Sequence, residues 1–348
     1  MFPLFQLPLL CIQEVSDQWE LVDLYNFSLL SKRAKRVSER KKKRIPWLVG
    51  LDFDYRTIEF MRSHVDVDFQ LIFKQNRFIV GLRENASLDT DISLFLQATQ
   101  QFLDVFKCRF YEISLELKPP LTDDQLIVLI DWMNGMKNEI RMILIRSATW
   151  PMFELFMNRF RKSIGKLMLL ENKYDCGDIV FKRLNFEIKH SFSSNPCPWF
   201  HLDFLFSMDT EKISAYKINF SAEDLNVFLR SWQEGKTNQR MREFACVPLK
   251  ELNVKEVLKG CGAELMDPRT TKQKYSMSGY LDCWIYGGIH IRRNDGRLAV
   301  IDTNDSNTTV DDGTTEGHIE DYLEEREIWN SDDSTDKWYE TKYQVYII

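Results

Sequence analysis

Apolar residues along this chain change their period several times, and each change predicts an element. Leu9, Ile12 and Val15 recur every third residue, and Leu21, Leu24, Phe27, Leu29 and Leu30 continue the pattern past a break at Ser16-Asp17. That spacing places apolar side chains on one helical face, so the segment reads as two or three short helices. Pro8 suits the start of the first, where its missing N–H is not needed and its φ is already set. A unit of roughly 45 residues buries too little apolar surface to be robust alone, so it must pack on the rest of the chain or on a partner.

Downstream the pattern alternates between strand and helix. Phe69 to Phe73 and Arg77 to Gly81 read as a hairpin around Gln75-Asn76. Phe110 to Leu117 is strand-like, and Pro119-Pro120 stops it. Thr122-x-x-Gln125 then forms a capping-box signature, opening a helix with Leu126, Leu129, Ile130 and Met133 on one face. Asn134-Gly135 closes that helix, and Ile140 to Ile145 reads as the next strand. The same grammar returns ninety-nine residues later: strand Ser214 to Phe220, cap Ser221-x-x-Asp224, stripe Leu225, Phe228, Leu229 and Trp232, stop at Gly235, strand Met241 to Val247. A third helix after Thr149 carries Phe153, Phe156, Met157 and Phe160 and leads to a strand over Lys166 to Asn172.

Neighbouring strands start about every 26 to 30 residues, a period at which one β–α unit cannot bury its own apolar face and must stack on the next. The expected fold class is therefore α/β, built as a leucine-rich-repeat-like stack. Leu167-x-Leu169-x-x-Asn172 fits the core of such a repeat, though the other units lack it. A compact α/β domain with a mixed sheet is the alternative.

Composition narrows the chemistry. The 348 residues are 44% hydrophobic and 13% aromatic, enough for a substantial core. No run of eighteen apolar residues exists to span a membrane, and no basic residue precedes the apolar N-terminus as a signal peptide requires. Seven cysteines are scattered without C-x-x-C spacing, as expected of thiols in a reducing, intracellular compartment. The five histidines form no metalloprotease motif, and no G-x-S-x-G elbow is present. Gly165-Lys166 and Gly235-Lys236-Thr237 are each only half a phosphate-binding loop. Asp52-x-Asp54 and Asp66-x-Asp68 are paired acids that could suit a metal, but such pairs in loops are usually solvated. The expectation is a protein with no catalytic residues, cofactor or metal of its own.

Charge is polarised. Lys32 to Arg44 holds nine basic residues and one acid, and Asp302 to Asp336 holds thirteen acids and one base. The first run includes Lys41-Lys42-Lys43-Arg44, which could direct nuclear import, or could simply be a solvated helix end. No aromatic residues interleave it, which argues against a nucleic-acid surface. The second run is poor in apolar residues and reads as disordered.

The segment Phe2-Pro3-Leu4-Phe5-Gln6-Leu7-Pro8-Leu9-Leu10, with Val15, Leu21-Val22-Asp23-Leu24 and the exit Ser28-Leu29-Leu30-Ser31-Lys32, resembles an F-box. The segment from about Phe200 to Val247, notably Phe220 to Trp232, and the run Gly287 to Ile301 with its Asp295-Gly296 turn, are similar to the F-box-associated (type 2) region of a nematode-expanded family of F-box proteins. The resemblance implies an F-box over 1–46, an associated α/β recognition domain ending in a hairpin over 47–302, and an acidic tail over 303–348. It implies a substrate receptor that binds a ligase adaptor, through it a cullin scaffold, and separately a protein target. Leu4, Leu7, Pro8, Leu9, Val15, Leu21 and Leu24 would form the adaptor-facing surface or its support. The loop expected over Tyr174 to Phe200 is the candidate target contact. A non-catalytic scaffold, cytoplasmic or nuclear and without a role in ubiquitin transfer, is the alternative.

Overall fold

A computed structural model describes residues 6–39, 48–61, 67–74, 77–80, 91–106, 110–170, 183–277, 281–303, 308–309, 313–331 and 337–348. Leu4, the side chain of Leu9, the Lys41 to Arg44 cluster, Asp66, the turn at Gln75-Asn76 and Asn172 lie outside the described residues. The chain divides into two compact units, 1–164 and 165–348.

The first unit opens with helices α1 (Leu9–Asp17), α2 (Leu21–Ser28) and α3 (Lys32–Glu39). Strands β1 (Leu48–Asp52), β2 (Thr57–Met61), β3 (Val67–Lys74) and β4 (Arg77–Val80) follow, then α4 (Ile92–Phe106). The unit closes with β5 (Phe110–Leu117), α5 (Asp123–Gly135), β6 (Ile140–Ala148) and α6 (Trp150–Arg159). Its sheet runs β6-β5-β1-β2-β3-β4, parallel across the first three strands and antiparallel across the rest. The capping box predicted at Thr122 is formed, with the hydroxyl accepting from Gln125 N–H and the Gln125 carboxamide accepting from Thr122 N–H. Not anticipated was α4, although its Ile92, Phe95, Leu96, Thr99, Phe102 and Leu103 are buried at helical spacing.

The second unit contains β7 (Ile164–Leu170), β8 (Ile188–Asn195), α7 (Leu202–Phe206), β9 (Lys212–Ile218), α8 (Ala222–Gln233) and β10 (Glu243–Pro248). Next come β11 (Leu252–Asn253), α9 (Val254–Val257), β12 (Glu264–Leu265), β13 (Lys272–Met277) and β14 (Leu281–Tyr286). The last elements are β15 (Ile289–Arg292), β16 (Leu298–Asp302), β17 (Thr308–Thr309), α10 (Glu316–Asn330), β18 (Tyr339–Glu340) and β19 (Tyr343–Ile347). Its main sheet is ordered β12-β15-β16-β19-β10-β9-β8-β7. Strands β8, β9 and β10 are parallel, and β19, β16 and β15 continue antiparallel. Stacked β–α arrangements are thus present in both units, within sheets that are mixed.

The acidic tail expected to be disordered is corrected by this topology. Asp302 ends β16 and is buried, and β19 lies between β10 and β16 with Tyr343, Val345, Tyr346 and Ile347 buried. The acid-rich composition of 302–336 concealed the helix α10, whose N-terminus is capped by Thr315 and His318. Strand β19 lies beyond the acidic run, and its alternation of apolar residues was lost in a tail read by average composition.

One consequence is electrostatic. Burial, followed by the charges of Glu340, Asp321 and Asp302, raises Glu325 to about 8. A carboxyl held above its unfolded value adds stability that is complete below about pH 4.5 and is lost as pH rises through the folded value. Raising the pH from 6 to 8 is therefore expected to lower the unfolding free energy by about 2 kcal/mol. Urea titrations at the two pH values would show it, and Glu325→Gln should flatten most of the difference. An unchanged slope in that variant would remove Glu325 as its source.

Candidate functional site

The N-terminal helices have their own small core. Ile12, Phe27, Ala34 and Val37 are buried together, with Leu7 and Trp19 packed against them at partial burial. Trp19 meets Phe27 edge-on at 4.8 Å. Pro8 occupies the N-cap of α1 with an extended ψ of 146°, and its carbonyl accepts Ile12 N–H at 3.1 Å. Ser31 caps α3, its hydroxyl accepting Ala34 N–H at 3.1 Å. Tyr25 ties α2 to the unit's larger core, its ring 5.4 Å from Phe78 and 5.6 Å from Phe102. Burial raises its phenol to about 12, so it stays a neutral donor to Ala98 C=O.

These contacts sort the residues expected to face an adaptor. Leu24 is fully buried and supports the core; Leu7 and Leu21 are half-buried. Pro8 and Val15 are exposed. Val15 was expected on the face of Ile12, but it lies about 60° round the helix from it, and Ser16, not Val15, takes the buried position one turn on. Three large apolar residues outside the expected adaptor-facing set are more exposed still: Leu10 at 75%, Leu30 at 70% and Leu29 at 50%.

The Asp52-x-Asp54 pair is not solvated. Asp52 is buried at the end of β1, where one carboxylate oxygen accepts the N–H groups of Asp54 and Tyr55. Arg146, near the end of β6, bonds Asp52 at 2.5 Å and Asp54 at 3.2 Å. Asp54 also accepts Glu116 N–H at 3.0 Å. Burial first, then the charges of Asp52 and Glu116, raises Asp54 to about 6. The guanidinium bridges the two carboxylates, and among the described residues no group of three or more His, Cys, Asp and Glu is placed to hold a metal.

In the second unit, β8, α7, β9, α8 and β10 form a tightly stitched segment. Ser221 and Asp224 make the predicted capping box. Trp232 is fully buried, with the guanidinium of Arg293 over its ring at 5.8 Å. Gly235 follows α8 at φ +71°, where an added Cβ would stand 2.9 Å from that guanidinium. Buried Asn238 donates to the carbonyls of Leu205 at 3.0 Å and Met208 at 2.6 Å. Gln233 joins α8 to the hairpin, donating to the carbonyls of Cys261 and Arg292. The expected contact loop is corrected here: 188–195 is strand β8, and Phe192, Cys197, Trp199 and Phe200 are core. Its Ser, Asn and Pro residues suggested a loop, but Ile188, Phe192 and Ser194 are buried on one face of the strand. Residues 174–182 of that loop lie outside the described residues.

Residues 180–246 match the family model described as F-box associated. No curated protein and no solved structure matches the chain. The F-box associated match spans β8 to most of β10, so it covers the parallel part of the second unit's sheet and the helices α7 and α8. Among the described residues no helix is long and apolar enough to cross a membrane.

Proposed function

We propose that this chain is the substrate-recognition subunit of a cullin-type ubiquitin ligase. In this reading the N-terminal helices are an F-box that binds the ligase adaptor, and the leucine-rich-repeat-like α/β region binds a protein target. The observation that supports it is the F-box associated match in 180–246, preceded in the same chain by a three-helix unit with exposed leucines. The chain itself would be non-catalytic. Holding a target beside a charged conjugating enzyme raises its effective concentration, and that gain is the contribution of a receptor.

Leu10 and Leu30 are the residues to change, since neither supports the helical core. Burying a leucine at an interface is worth about 1.5–3 kcal/mol. Leu10→Asp/Leu30→Asp is therefore expected to weaken adaptor binding by roughly 100-fold or more, with an unchanged circular dichroism spectrum. Calorimetric titration of the adaptor into both proteins checks this. Absence of binding by the unsubstituted chain would reject the receptor reading. Adaptor binding without cullin recruitment would instead favour a scaffold, cytoplasmic or nuclear, that takes no part in ubiquitin transfer.

A further inference from the structure

The second unit contains a cleft of about 570 Å³ lined by Arg240, Arg242, Lys274 and Arg297, with Glu211 the one acid among its lining residues. One wall is β13, the outer strand of the small sheet β13-β14-β17. Strand β13 pairs with β14 along its length, and among the described residues no backbone bond is made from its other side. An edge strand turns alternate N–H and C=O groups away from its neighbour, a template for one more strand. Tyr275 anchors it from beneath, its ring 4.9 Å from Tyr346 and its hydroxyl donating to Glu243 at 3.0 Å.

We infer that this edge receives an extended acidic segment of a protein partner, which adds to β13 as a fourth strand with its carboxylates toward the four cations. The backbone edge supplies affinity and the charges supply selectivity, as in strand addition generally. Three of the cations are already paired across exposed bridges: Arg240 with Glu187, Lys274 with Asp282 and Arg297 with Asp295. Exposed pairs of this kind contribute little and exchange readily. Arg242 is exposed and has no ion-pair partner among the described residues, so its charge is available outright. The inference rests on the reading of the second unit as the target-binding part.

The test is fluorescence anisotropy of the full chain with a labelled decapeptide of alternating Glu and Thr. Controls are a Lys-Thr peptide and the acidic peptide N-methylated at alternate residues. The acidic peptide is expected to bind at low salt, to weaken as salt rises, and to lose at least tenfold in affinity in Arg242→Glu. That variant keeps the backbone bonds by which residue 242 joins Glu211 and Ile347. Equal binding of the Lys-Thr or the N-methylated peptide would overturn the inference. So would no binding by the unsubstituted chain, since the lysines would then serve only to keep the edge unpaired. Adaptor titration separates the two readings: lost peptide binding in Arg242→Glu with unchanged adaptor affinity supports both, and peptide binding by an unsubstituted chain that fails to bind the adaptor leaves the cleft assignment standing alone.

Discussion

Removing residues 338–348 is expected to unfold the second unit, although these residues follow an acidic stretch with the composition of a dispensable tail. Strand β19 pairs on both sides, with β10 and with β16, so its loss exposes two strand edges within the sheet. Tyr343, Val345, Tyr346 and Ile347 are buried, and the Tyr343 hydroxyl donates to Leu252 C=O at 2.7 Å. At about 1.5–3 kcal/mol for each large buried side chain, the loss approaches the whole of a typical domain's stability, on the order of 5–15 kcal/mol. Limited proteolysis of a chain ending at 337 should digest the region after 165 and leave the first unit resistant. A truncated protein with both units resistant and an unchanged melting temperature would contradict the role assigned to β19.

Arg146→Ala is expected to cost about 3–5 kcal/mol, because it removes the guanidinium bonded to the buried Asp52 carboxylate and leaves only the more distant charge of Arg56 acting on it. Truncating one partner of a buried pair is worse than losing both, since the remaining charge keeps its full desolvation cost. Asp52→Asn in the same chain should therefore recover much of the loss: the amide oxygen can still accept the N–H groups of Asp54 and Tyr55, and no charge remains on residue 52. Urea denaturation of the single and double variants measures both effects. A loss below about 1 kcal/mol in the single variant would mean that Arg56 and the N–H groups of Asp54 and Tyr55, not Arg146, hold the Asp52 charge.

The local grammar of the fold was legible at particular residues. Thr122 and Ser221 cap the helices assigned to them, and β5 covers the predicted Phe110–Leu117. The hairpin at Asp295-Gly296 forms with Gly296 at φ +93°, the backbone region glycine enters without a Cβ clash. The candidate site was only partly legible. Helical spacing marked the N-terminal segment as amphipathic, yet Leu24 proved to be core and Leu10 surface, because spacing defines a stripe without saying which neighbour covers it. The F-box associated match begins before the segments quoted for that resemblance, in a region whose serines and prolines suggested a loop.

What the amino-acid order determined by itself is what depends on residues within one or two turns of each other: caps, stops, periodicity and the β–α alternation. What only the tertiary structure decided depends on residues brought together from far apart. Arg146 neutralises acids more than ninety positions earlier, Arg293 covers Trp232, and a C-terminal strand enters the sheet beside β10. Local sterics and hydrogen bonding act over a few residues and leave a pattern in the sequence. Pairing between distant segments is chosen by the sum of burial, charge and register over the whole unit, and no short window of sequence contains that sum.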